Sequence, residues 1–178
     1  MKVIILIIFL VPLLSFSQEL VIGEERVEPG IVLIFEGAIK DVIEPKSNNL
    51  SVEETNVHIE ARVNWDSVNI PDGTPPGGFV PYLKISSIIY NEKTGLKTFI
   101  DLTPHINMID NFHYARNISL PGEVDELYTV EFKINAPHEF DLAFHKDWLE
   151  KFGKDLFQNI SFKYKNVDFE EIAKASRD

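Results

Sequence analysis

Cysteine is absent from this 178-residue chain, and that absence excludes a great deal. No disulfide can staple the fold, so a hydrophobic core has to hold it. Thiolate catalysis, iron–sulfur clusters, cysteine-bound zinc and the blue-copper ligand set all fall away. So does lipid attachment at an N-terminal thiol. Positive charge is short as well: 17 Lys and Arg face 28 Asp and Glu, for a formal net charge of −11. Nucleic-acid binding, which draws on Lys and Arg at phosphates, is therefore not expected. The acidic balance is compatible with cation binding without demanding it. Also missing are Gly-x-Ser-x-Gly, His-Glu-x-x-His and a phosphate-cradling glycine loop. No catalytic residue is assigned, and the chain is not expected to be an enzyme.

The one long apolar run is at the start. Met1-Lys2 leads into Val3–Leu14, followed by Ser15-Phe16-Ser17 and then Gln18. A basic start, a short apolar stretch and small residues flanking a cut describe a secretory signal peptide. The stretch falls short of the roughly 20 residues that a spanning helix needs. Residues 1–17 are thus expected to be cleaved before Gln18. That leaves residues 18–178 as one soluble, exported domain without direct membrane insertion.

From Gly30 onward the pattern is one of strands and turns. Val57, Ile59, Ala61, Val63 and Trp65 alternate with His58, Glu60, Arg62 and Asn64, the period-2 signature of a strand with an apolar and a polar face. Further strands are expected over 31–43, 80–90, 97–102, 112–120, 127–134 and 159–167, seven or eight in all. Turn clusters such as Asp72–Gly78 and Pro121-Gly122 separate them. Trp148, Leu149, Phe152 and Leu156 recur at helical spacing within 146–157, and 169–176 allows a terminal helical turn. Many short strands in a single domain predict an all-β fold of the β-sandwich type.

Four of the five histidines sit in short motifs: Val57-His58-Ile59-Glu60, Pro104-His105, Asp110-Asn111-Phe112-His113-Tyr114 and Phe144-His145-Lys146-Asp147. On a strand, residues i and i+2 share a face, so His58 and Glu60 can point together while Ile59 enters the core. Any polar face displays such pairs, so each motif alone says little. His138 matches no ligand pattern and reads as a surface residue. Asp110 and Asp147 are the nearest candidates to orient a ligating imidazole through its second nitrogen. Three Asn-x-Ser sequons, at Asn49, Asn117 and Asn159, read as chance.

Taken in order, "NVHIEARV" (56–63), "GGFVPYLKI" (77–85), "DNFHYARN" (110–117) and "FHKD" (144–147) resemble the periplasmic ferrous-iron transport accessory proteins of bacteria. These bind copper and accompany inner-membrane iron permeases. The resemblance runs from about Gly30 to Tyr164. It implies an immunoglobulin-like β-sandwich, a homodimer, and a metal site near the dimer interface. His58, Glu60 and His113 fall on matching ligand positions, and His145 matches a histidine that the family brings in from the neighbouring subunit. The family carries methionine where this chain has His105, and the interval from Pro104 to His113 is one residue longer here. Either His105 or Met108 is therefore the remaining ligand. Asn111, Phe112 and Ala115 stand where the family has Gly, Pro and Gly. Copper, ferrous iron or both are the implied ions, with zinc possible for an imidazole–carboxylate set. Copper-dependent redox help to iron transport is compatible with this, and so is simple delivery. The alternative is an exported β-sandwich that binds a protein partner and has no functional metal site.

Overall fold

In strand β3 (Val57–Trp65), the alternation read in the sequence becomes burial: Val57, Ile59, Ala61 and Val63 are fully enclosed. The computed structural model describes residues 19–176; the expected signal peptide and the cut before Gln18 lie outside that range. The other strands are β1 (Glu19–Val27), β2 (Ile31–Ala38), β4 (Lys84–Asn91), β5 (Lys97–Asn107), β6 (Asn111–Ile118), β7 (Leu127–Asn135) and β8 (Ile160–Asp168). Two short helices, α1 (Lys146–Phe152) and α2 (Glu170–Lys174), flank β8. Among the described residues no helix is long and apolar enough to cross a membrane.

The protein is all-β. Its eight strands form one antiparallel sheet in the order β1-β2-β3-β6-β5-β4-β7-β8, and that sheet nearly closes on itself. The long strand β5 turns the corner. Residues 97–102 pair with β4, whereas 103–107 pair with β6. The two halves face each other across a core in which Phe35 of β2 stacks on Phe132 of β7, ring centroids 4.1 Å apart. The outer strands meet where the Tyr164 hydroxyl donates to Glu25 at 3.0 Å. Gly23 permits that approach. A Cβ there would sit 2.2 Å from the Tyr164 ring.

Strand β1 was not expected, because Glu19–Val27 mixes charged and apolar residues without a clean period. A register shift between Val21 and Gly23 breaks its alternation. Strand β4 starts at Lys84, later than expected. Pro81 and the positive φ of Tyr82 (66°) keep 80–83 out of the ladder. The buried hydroxyl of Tyr114 holds this segment instead, donating to the Val80 carbonyl (2.9 Å) and accepting from the Leu83 N–H (3.1 Å). Helix α1 is shorter than the helical spacing suggests. It stops at Gly153, whose φ of 87° terminates it.

Candidate metal centre

The register of three strands assembles the site. His58 lies opposite Asn117 and Glu60 opposite Ala115 on the β3–β6 ladder. On the β6–β5 ladder, Ala115 faces Thr103 and His113 faces His105. Because side chains alternate along each strand, His58 and Glu60 share one sheet face with His113, Ala115, Asn117, Thr103 and His105. This face was expected to be merely polar. His58, Glu60 and His113 are instead buried, each 2–3% exposed. Among the described residues, His58, His105 and His113 form one group whose potential donor atoms all lie within 4.8 Å of one another.

The rings are held in orientation. His58 Nδ1 meets Asn117 Oδ1 at 2.7 Å, and Asn117 donates its own amide hydrogens to the carbonyls of Asp41 (2.9 Å) and Leu50 (3.1 Å). With both amide hydrogens committed, Oδ1 is left to accept, so the His58 proton belongs on Nδ1 and the Nε2 lone pair faces inward. His113 Nδ1 likewise meets the Asn111 carbonyl at 3.1 Å. The Nε2 atoms of His58 and His113 lie 3.5 and 4.0 Å from Glu60 Oε1. His105 Nε2 contacts the Thr103 hydroxyl at 3.3 Å, and its Nδ1 is buried without a partner. Glu60 Oε2 is buried and unpartnered too. Buried polar atoms without partners call for an explanation, and a cation held among the three imidazoles would supply one.

The electrostatics are those of ligands kept dry. Burial, then the charges of His113 and Arg116, depresses His105 to about 4. Burial also lowers His113, so both rings favour the neutral, ligating form. Burial is again the main cause that pushes the Glu60 carboxyl up to about 8, with Asp110, Glu36 and Glu19 adding repulsion. A divalent cation in contact would reverse that preference and hold the carboxylate ionised. Beside Glu60, the fully buried Glu36 accepts from Arg62 Nη2 at 2.7 Å. The same guanidinium lies 3.7 Å from Asp110 and 3.9 Å from Glu19.

Of the residues singled out from sequence, the structure brings together His58, Glu60, His105 and His113. Met108 sits in the β5–β6 turn, fully exposed. His145 is exposed at the N-cap of α1, with no side-chain capping bond, and stands outside the three-histidine group. His138 is a surface residue stacked on Phe140, as expected. Neither suggested aspartate orients a ring. Asp110 engages Arg62 and Asn107, and Asp147 accepts from the Trp148 N–H. Asn117 and the Asn111 carbonyl fill that role. Asn117 could have been found from its parity with His113, and Glu36 as the lone acid in an otherwise apolar strand.

Comparison with known proteins gives the family and the fold. The chain is 29% identical over 97 residues to the 34 kDa membrane antigen of Treponema pallidum, covering 54% of this chain and 47% of that protein. It thus spans about half the length of that curated relative. The fold matches FetP of uropathogenic Escherichia coli, with a TM-score of 0.67 and 23% identity over 83% of this chain and 94% of that one. It also matches a copper-bound variant of P19 from Campylobacter jejuni, with a TM-score of 0.69 and 26% identity over 83% and 96% of the two chains. The family model described as Fe2+ transport protein matches residues 16–171, and the chain belongs to that family.

Proposed function

We propose that this protein is exported to a bacterial periplasm and holds a copper ion there in support of ferrous-iron uptake. In this reading residues 1–17 are the signal peptide, and residues 18–178 form a single immunoglobulin-like domain that works as a homodimer beside an inner-membrane iron permease. The observation that carries it is the grouping of His58, His105 and His113, whose donor atoms lie within 4.8 Å of one another, with Glu60 Oε1 beside His58 and His113 and with Glu60 Oε2 and His105 Nδ1 buried and unpartnered. Family membership and the copper-bound relative support the choice of ion. Imidazole suits copper, zinc and iron, and the carboxylate extends the set toward harder ions.

His58 and His113 present fixed lone pairs, His105 stands opposite His113 on the neighbouring strand, and Glu60 contributes charge. Asn117 and the Asn111 carbonyl hold two of the rings in orientation. Bound copper would supply Lewis acidity and access to two oxidation states, which suits redox help to iron passing to the permease. Ferrous iron is then the cargo, and His145 of a second copy closes the site.

Titration with Cu(II) and Zn(II) tests the site. Wild type should bind one ion per protomer, H58A and H113A should lose tight binding, and H138A should retain it. A wild type that holds no metal at micromolar concentration overturns the proposal. Growth under iron limitation tests the role: deletion should impair uptake and an H113A copy should fail to restore it. Full rescue by H113A would shift the function to the apolar surface around the β5–β6 turn, where Ile106, Ile109 and Phe112 are exposed, and to the protein-binding alternative.

A further inference from the structure

Resting on the metal-binding reading above, we infer that His105 is the specificity-determining residue of the centre. It fixes an all-nitrogen-and-oxygen donor set that favours Cu(II) and other borderline divalent ions over Cu(I).

The chain has little sulfur to offer. It contains no cysteine and two methionines, of which Met1 lies outside the described residues and Met108 is fully exposed. The register of the β5–β6 ladder and the hydrogen bonds of the turn keep Met108 out of the site. The β5–β6 ladder pairs His105 with His113, Ile106 with Phe112 and Asn107 with Asn111, so the chain enters and leaves the turn in fixed register. Met108 lies in the turn just beyond Asn107, the last residue of β5, with its side chain fully exposed. The turn itself is tied down. Asn107 Oδ1 accepts from the N–H groups of Ile109 (2.8 Å) and Asp110 (2.6 Å), and Asn107 Nδ2 donates to Asp110 Oδ2 (2.7 Å). Asn111 closes it at a φ of 61°, a left-handed conformation that asparagine tolerates. Bringing the thioether inward would break the register and these three hydrogen bonds together.

His105 already holds the inward position. Its ring lies 5.4 Å from that of His58 and 5.9 Å from that of His113, centroid to centroid, and its buried Nδ1 has no partner. Soft thioether donors select Cu(I), whereas imidazole and carboxylate suit divalent ions higher in the stability series. Without a sulfur ligand, the oxidised ion gains relative to the reduced one.

The purified protein with Cu(II), and with Cu(I) under anaerobic competition against a chromophoric Cu(I) chelator, provides the test. Wild type should show a nitrogen-rich Cu(II) paramagnetic resonance spectrum, no copper–sulfur shell in X-ray absorption, and ready loss of Cu(I) to the chelator. H105M should shift the Cu(I)-to-Cu(II) affinity ratio toward Cu(I) by at least about tenfold and raise the reduction potential. M108A, a surface change, should leave both affinities within about twofold of wild type, the range expected away from the ligand shell. A copper–sulfur shell in wild type, or a tenfold loss of Cu(I) binding in M108A, overturns the inference while leaving the metal site intact. An unchanged ratio in a folded H105M also overturns it. A wild type that holds no metal ends both this inference and the function on which it rests.

Discussion

His58 and His105 stand on strands separated by β6, yet their rings lie 5.4 Å apart. Neighbouring strands are roughly 4.8 Å apart, so the two backbones are about two spacings distant and the imidazoles must meet above the strand between them. Ala115 is what that strand offers at this level, opposite Glu60 on one side and Thr103 on the other. A methyl group leaves room for the rings to converge, where a larger side chain would fill the space between them.

Ala115→Leu should therefore abolish metal binding. Because Ala115 is fully buried, overpacking should also cost about 1–3 kcal/mol of stability. Ala115→Gly should keep the binding and lose a smaller part of the stability. Calorimetric titration with Cu(II), read beside thermal unfolding, separates the two effects. Retained affinity in a folded A115L protein would mean that the rings do not converge over this residue.

Asn117 should matter almost as much as a ligand. Its carbonyl oxygen fixes the His58 tautomer, and its amide hydrogens tie β6 to the carbonyls of Asp41 and Leu50. Asn117→Leu should lower metal affinity roughly 10–100-fold, the usual cost of removing a residue that orients a ligand. Asn117→Asp keeps an acceptor for His58 while sacrificing the two donations, so it should lose stability more than affinity. Equal affinities in wild type and N117L would place the His58 proton elsewhere.

The sequence made the candidate ligands legible more readily than their surroundings, for a physical reason. His58 and Glu60 share a face by simple parity within one strand, and β3 alternates cleanly because one of its faces is core. His105 and His113 needed the ladder between β5 and β6. The choice between His105 and Met108 depended on where the turn falls, and a one-residue shift there exchanges inward and outward side chains. The burial of the polar face was not legible, since Glu60 and Arg62 read as solvated residues. Covering that face requires Glu36, Asp110 and Glu19, drawn from three other segments around Arg62. Strand β1 escaped because its irregular register erases the period.

The metal-free protein should show an unusual slope of stability with pH. Glu60 is raised from 4.5 to about 8. Its contribution is therefore fully present below 4.5 and is lost progressively as pH climbs to about 8. His105 is depressed from 6.5 to about 4, so its contribution is present above 6.5 and is lost as pH falls toward 4. Between 6.5 and 8 the Glu60 slope stands apart from that of His105. Thermal unfolding without metal should lose stability across this interval in wild type and much less in E60Q. Metal affinity should rise through the same interval, because the ion competes with the Glu60 proton. Parallel pH profiles for wild type and E60Q would remove Glu60 as the source.

A shared site makes a prediction that a self-contained one does not. His145 lies outside the three-histidine group of its own chain, exposed at the N-cap of α1. Ile106, Ile109 and Phe112 leave an apolar surface exposed around the β5–β6 turn. If a second copy covers that surface and delivers its His145, H145A and H58A should each weaken copper binding when pure. Mixed and allowed to exchange subunits, they should recover tight binding in their hybrid dimers. In a hybrid, the intact trio of the H145A chain meets the intact His145 of the H58A chain, while the second site lacks both. The expected stoichiometry is one tight ion per hybrid dimer, measured by titration after separating species by size. Replacing Ile106 and Ile109 with aspartate should yield monomers in which the H145A change has no further effect. A monomeric wild type, or hybrids that bind no better than the parent variants, would return His145 to the surface and leave the trio and Glu60 as the whole centre.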